Sequence, residues 1–314
     1  MNQAVKSDSL WSIILAAGEG DGLQPMVQRW LGRQKPKQYC AFTGSRSMLQ
    51  HTLDRADQVS DPEHKVTVGA RAHRWEALAQ VAQSKAGKLI LQPANRGTVA
   101  EIFVGLAHVR AHDPQATVVI YPSDHFVHPE DRFVKVVQSA VLAAQQLKNW
   151  IFLLGITPER LDQEHDWILM GPHLGWIDGH RVQTVSAFLE KPNVEKCKAA
   201  VAVGALWNTL ILAAKVETLW RMGWQYVPEI MPLFERYQEA IGTSDEEAVL
   251  EAEYNVMPCR NLSSNVLKCA RKQVAVIELS GILWCNWGTP ERVRETLCRI
   301  GKPALPWLIH VPAV

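Results

Sequence analysis

A short apolar run, Trp11-Ser-Ile-Ile-Leu-Ala-Ala17, breaks abruptly into three spaced glycines, Gly18, Gly20 and Gly22. A run this short, ended by glycines, reads as a buried strand that delivers the chain to a tight turn. Without a Cβ, the turn can take positive φ and bring its N–H groups close to an anion. The spacing is G-x-G-x-G. A dinucleotide fingerprint would need G-x-G-x-x-G, and a P-loop would end in G-K-[ST]. Read blandly, the pattern is an ordinary turn. The basic segment Lys35-Pro-Lys37-Gln that follows adds a point charge able to reach the same anion.

Strand-like and helix-like segments alternate after this opening. Strands are predicted over 12–16, 65–69, 88–91, 117–121 and 150–154, with helices over 48–58, 73–83, 99–112 and 132–147. Such alternation implies an α/β fold, a mostly parallel sheet with helices on both faces. Ligands of such sheets bind beyond the carboxyl ends of the strands, so the glycine loop and Asp124 share one rim. The second half is less regular. Strands are expected over 182–189, 206–213, 274–278 and 282–285, and helices over 194–201, 231–252 (interrupted near Gly242) and 291–300. No hexapeptide repeat occurs, so no left-handed β-helix tail is expected. No linker rich in Pro, Gly or Ser divides the chain, which predicts one domain over residues 1–314.

Bulk properties exclude several function classes. With 33 Lys and Arg against 32 Asp and Glu, there is no field to attract nucleic acid or an acidic membrane. The six cysteines, Cys40, Cys197, Cys259, Cys269, Cys285 and Cys298, contain no C-x-x-C pair. They read as scattered thiols in a reducing compartment, and a cytoplasmic location is expected. The run 10–17 could pass for a signal-peptide core, but its upstream charge is weak and a glycine loop follows at once. No apolar run approaches the roughly 18 residues that a spanning helix needs.

Six segments together resemble one family, the sugar-1-phosphate nucleotidyltransferases, and within it the mannose-1-phosphate guanylyltransferase branch. They are the glycine loop with Pro36-Lys37-Gln38, Gln92-Pro-Ala-Asn-Arg96-Gly97-Thr98, Tyr121-Pro-Ser-Asp124-His125, Phe188-Leu-Glu190-Lys191-Pro192, Leu206-Trp-Asn208 and Trp284-Cys-Asn286-Trp-Gly288. They occur in the family's order. The resemblance implies a Rossmann-like (GT-A-like) three-layer fold with a mixed, mostly parallel sheet. Residues 1–155 would form the nucleotide-binding half, and 156–314 the sugar-phosphate half with a C-terminal helical segment. The reaction it implies joins a nucleoside triphosphate to a sugar 1-phosphate, giving a nucleotide sugar and pyrophosphate. GTP and mannose 1-phosphate follow from the branch, and Mg2+ is the implied cofactor.

By the same resemblance, Lys37, Asp124 and Lys191 carry catalysis. Ala16, Ala17, Gly18, Gly20, Gln92, Arg96, Gly97 and Thr98 bind the nucleotide. Glu190, Lys191 and Asn208 bind the sugar phosphate, and Asp124 and Asn286 hold the metal. Adjacent Glu190 and Lys191 can serve one site only near a strand end or bend, which Pro192 supplies. His125 and His128 suggest zinc, but no third ligand accompanies them. The twelve tryptophans invite a sugar-stacking reading, yet packing accounts better for most. No membrane or nucleic-acid partner is expected, and a second copy of the chain is left open.

Four departures from the family pattern stand out. Asp21-Gly22 replaces Thr-Arg, removing a guanidinium; Arg29, Arg33 and Lys35 are its candidate substitutes. Asn286 replaces a metal-binding aspartate, and Glu101 stands where relatives carry a small or apolar residue. The stretch 166–172 lacks the family's tyrosine-glycine pair. These changes leave a second hypothesis open, a nucleotidyltransferase-like binding or regulatory protein without catalysis. On the enzyme hypothesis, restoring arginine at 22 should tighten triphosphate binding, and Asn286→Asp should lower the magnesium requirement.

Overall fold

In the computed structural model, which describes residues 10–83 and 87–302, the opening apolar run is strand β1 (Leu10–Ala16). Its side chains alternate between two cores. Ile13 and Leu15 enter one, Ile14 and Ala16 the other, and all four are buried. Burial on both faces explains why the run is continuously apolar, and each such isoleucine contributes roughly 1.5–3 kcal/mol.

Further strands are β2 (Lys65–Ala70), β3 (Lys88–Gln92), β4 (Thr117–Pro122), β5 (Phe126–His128), β6 (Ile151–Ile156) and β7 (Trp167–Ile177). After them come β8 (His180–Leu189), β9 (Leu206–Lys215), β10 (Val274–Glu278) and β11 (Leu283–Cys285). Nine of them form one sheet, in the order β3-β2-β1-β4-β9-β6-β10-β8-β7, while β5 and β11 pair separately. Within the sheet β8 and β9 run against the other seven. The sheet is therefore mixed and mostly parallel, as expected.

The helices are α1 (Gln24–Leu31), α2 (Met48–Asp57), α3 (Arg74–Val81), α4 (Gly97–His112), α5 (Glu130–Gln146), α6 (Val194–Ala202), α7 (Val216–Tyr226), α8 (Met231–Ala240), α9 (Glu246–Val256) and α10 (Pro290–Arg299). Residues of α4, α7, α8 and α9 build the core on the Ile13 face, and those of α2, α3, α5 and α6 the core on the Ile14 face. A third, smaller cluster joins α1 to α10 through Leu23, Val27, Trp287 and Val293. The result is a three-layer α/β fold. Every strand and helix read from the sequence is present, whereas β5, β7, α1 and α7 were not foreseen. Gly242, in the left-handed region at φ 80°, separates α8 from α9. Among the described residues no left-handed β-helix occurs, and no helix is long and apolar enough to cross a membrane.

Candidate active site

Strand pairing places the glycine loop beside Asp124. β1 and β4 run parallel in register, with Leu15 opposite Pro122, and Ser123 N–H donates to Leu15 O at 2.9 Å. The two chains leave the sheet together, one into Gly18–Gly22 and the other into Asp124. Gly20 adopts φ 68° and packs on Lys37, where an added Cβ would lie 3.0 Å from Lys37 N. Gln38 Nε2 ties down the carbonyls of Ala16 and Gly18 at 3.0 and 2.6 Å. Among the described residues nothing accepts from the N–H groups of Gly18, Glu19 and Gly20. A row of unengaged N–H groups on a glycine loop is suited to an anion.

Lys37 is buried, and its ammonium lies 3.0 Å from Asp124 Oδ2 while donating to Asn286 O. Burial works against ionisation of Asp124, but Lys37 and His125 outweigh it and hold the carboxyl below the usual range. His125 is neutral, because burial drives its pKa down to about 4.

A cleft of about 300 Å3 opens in front of this pair, and its lining includes Thr98, Asp124, Lys191, Asn208 and Asn286. Five segments far apart in sequence thus converge. β8 ends at Leu189, and Lys191 turns the chain at φ 37°, which realises the bend that adjacent Glu190 and Lys191 require. The Lys191 ammonium is exposed, 3.8 Å from Glu164. Glu190 accepts from the Ser264 hydroxyl at 2.8 Å. Asn208 Oδ1 accepts Leu210 N–H at 3.0 Å within a kink of β9 where Leu210 has φ 58°.

Other expected residues are held by structural contacts. Arg96 spends its guanidinium on the carbonyls of Tyr254 and Asn255, at 2.8 and 3.3 Å. Gly97, at φ 82°, lies so close to Arg260 that a Cβ would meet its carbonyl oxygen at 2.3 Å. Thr98 Oγ1 accepts Leu262 N–H at 2.8 Å. Gln92 Oε1 accepts from the Tyr254 hydroxyl at 3.2 Å. Segment 254–263, which no sequence pattern marked, therefore packs on residues 92–98, and its Asn261 and Ser263 line the cleft.

Asn286 Oδ1 already accepts from Arg292 Nη1 at 3.0 Å and from Gly288 N at 3.3 Å, so both its lone pairs are in use. Arg292 also pairs with Asp162, which lies 3.7 Å from His165. Asp124 fits a magnesium ion as a hard, ionised oxygen ligand; the Asn286 side chain offers no free oxygen lone pair. Among the described residues no three His, Cys, Asp or Glu side chains converge as a metal cage. Of the candidate substitutes for the loop arginine, Arg33 pairs with Glu76 and Arg29 donates to its own helix.

Trp207 and Trp284 flank His165, with ring centroids 4.7 and 5.4 Å from it. Behind that wall lies a larger, mostly apolar cavity of about 690 Å3 under α10, but neither the glycine loop nor Asp124 lines it. Of the two, only the smaller cleft is lined by Asp124.

The family model described as nucleotidyl transferase matches residues 11–297. A mannose-1-phosphate guanylyltransferase of Escherichia coli K12 is 27% identical over 252 residues, covering 77% of this chain and 51% of that protein. Another, of Salmonella montevideo, is 31% identical over 205 residues, covering 63% and 41%. The chain spans about half the length of these curated relatives. Among solved structures, one described as mannose-1-phosphate geranyltransferase from Thermus thermophilus superposes with TM-score 0.78 at 20% identity, covering 92% of this chain and 79% of that one. A UDP-glucose pyrophosphorylase complexed with UDP-glucose superposes with TM-score 0.58 at 13% identity, covering 93% and 98%. The chain belongs to the nucleotidyl transferase family, among relatives of the mannose-1-phosphate guanylyltransferases.

Proposed function

We propose that the chain joins a nucleoside triphosphate to a sugar 1-phosphate, with GTP and mannose 1-phosphate as the pair suggested by its relatives. The observation that carries this reading is the convergence of Asp124, Lys191 and Asn208 in one cleft, with Lys37 bonded to Asp124 behind it. An oxygen of the sugar phosphate would attack the α-phosphorus, and pyrophosphate would leave. The protein need supply no nucleophile, only cations and directed donors that bring anions together. The N–H groups of Gly18, Glu19 and Gly20 would bind phosphate oxygens. Lys37 would hold Asp124 in place, and Lys191, exposed at its turn, would exchange Glu164 for the sugar phosphate. Asp124 would hold magnesium with substrate oxygens, and the ion would offset charge on the phosphates.

One observation favours the second reading, a binder without turnover: the Asn286 side chain is bound to a guanidinium. Pyrophosphate release from a panel of nucleoside triphosphates and sugar 1-phosphates, with magnesium, decides between them. Turnover on one pair is expected, and Lys191→Ala should reduce it by about tenfold to over a hundredfold, the value of one charge-assisted phosphate contact. Nucleotide binding with no turnover on any pair would establish the binder instead.

A further inference from the structure

Glu101 is a half-buried carboxylate with no cation beside it. It projects from α4, one turn after Gly97 and Thr98, and its Oε1 accepts Ala17 N–H at 2.9 Å. Among the described residues no Lys, Arg or His pairs with it, and Oε2 accepts no hydrogen bond. Part of its surface is open. Burial, eased by the Ala17 N–H and reinforced by Asp124, pushes its pKa up to about 7. A small side chain here would avoid that cost, so the carboxylate needs a reason that the fold does not supply.

The neighbouring groups indicate one. The Tyr254 hydroxyl is 3.2 Å from Gln92 Oε1 and 3.3 Å from Ala100 O, which ties the Gln92 amide to the backbone next to Glu101. The Gln92 NH2 group has no acceptor among the described residues. An amide donor at the end of β3 and a carboxylate oxygen against Ala17, just past β1, are thus both unengaged, and Tyr254 links the first to the backbone beside the second. Nucleobases differ sharply in what they can offer such a pair. Guanine presents, in line, the O6 acceptor and the N1–H and 2-amino donors. Adenine has an acceptor at N1, cytosine has one at N3, and uracil flanks its single N–H with two carbonyls. Only guanine gives two adjacent donors to a carboxylate and an acceptor to an amide.

We infer that Glu101 selects the nucleotide by accepting hydrogen bonds from N1–H and the 2-amino group of guanine. This rests on the nucleotidyltransferase reading of the cleft and adds the residue and base atoms that set its specificity. Hydrogen bonds to an ionised acceptor are roughly twice as strong as neutral ones, so these two contacts set the discrimination, and the 2-amino contact alone separates guanine from hypoxanthine.

Calorimetric titration of the full chain at pH 8, with magnesium, tests this using GTP, ITP (which lacks the 2-amino group) and XTP (which carries a 2-oxo group). The wild type should bind GTP at least about tenfold more tightly than ITP. Glu101→Gln keeps an oxygen for Ala17 N–H but turns an N–H toward the base, so it should prefer XTP to GTP. A loosened fold cannot produce that reversal. Glu101→Ala should bind GTP and ITP alike. Wild-type binding of GTP and ITP with equal affinity, or a GTP-to-ITP ratio that survives in Glu101→Gln, overturns the role of Glu101 and leaves the enzyme reading intact. Failure of the wild type to bind any nucleoside triphosphate overturns both.

Discussion

Gly22 shows how one position changes meaning once its neighbours are known. In the sequence it is a missing arginine, and restoring that arginine promised tighter triphosphate binding. In the structure a Cβ at Gly22 would lie 2.2 Å from Gly288 O, a backbone atom with no side-chain freedom to yield. The position requires glycine because the C-terminal segment rests directly on the loop. Gly22→Ala alone should therefore cost about 1–3 kcal/mol and weaken nucleotide binding, and Gly22→Arg should do worse. Melting curves and a GTP titration check this, and an unchanged melting temperature would mean the two segments part freely. Lys37, Asp124, Lys191 and Asn208 could be singled out as candidates because each sits in a short local pattern. The bonds from Arg292 to Asp162 and from Ala17 to Glu101 were not, because they join residues 130 and 84 positions apart.

The element least legible in advance is β7. It contains Gly171, Pro172 and Gly175 and shifts register against β8 three times, so it has no clean alternation. A signal was nevertheless present. Asp178-Gly179, at φ 48° and 79°, makes the two-residue turn that favours a hairpin. Helix α10 matters for a different reason, since it carries Arg292 to Asn286. Thr289 caps it and Pro290 opens it, both readable as helix-start signals. That guanidinium changes what Asn286→Asp should do. A new carboxylate would pair with Arg292 rather than stand free for a cation, so the substitution alone should leave the magnesium requirement within about twofold of wild type. Adding Arg292→Met should release the carboxylate and lower the magnesium concentration for half-maximal GTP binding. Magnesium titrations of the single and double variants check this; a large effect of Asn286→Asp alone would show that Arg292 does not hold position 286.

Across the whole molecule, the alternation of strands and helices was readable because the first half repeats a simple βα rhythm. The order in the second half was not, since β9 inserts between β4 and β6 through contacts distant in sequence. This burial has a consequence for acid stability. His108, His125 and His165 are each pulled down to about 4, chiefly by burial, against 6.5 when unfolded. As pH falls through 6.5 toward 4, the unfolded chain takes up protons that the folded chain refuses, so stability is lost. Glu101 acts in the opposite direction, keeping a proton up to about pH 7 that the unfolded chain releases near 4.5. Three histidines less one carboxylate leave a net loss of up to about 3 kcal/mol per pH unit. Urea midpoints should drop clearly between pH 6.5 and 5, and a flat profile would contradict neutral buried histidines. The seat of Gly22 on Gly288 also bears on the order of synthesis. The loop that opens the chain gains its support from a residue made more than 260 positions later. On the ribosome, the nascent first half can fold its strands but cannot present a finished glycine loop until residue 288 has emerged, so under the proposed function ligand capture becomes a late test that translation has run that far.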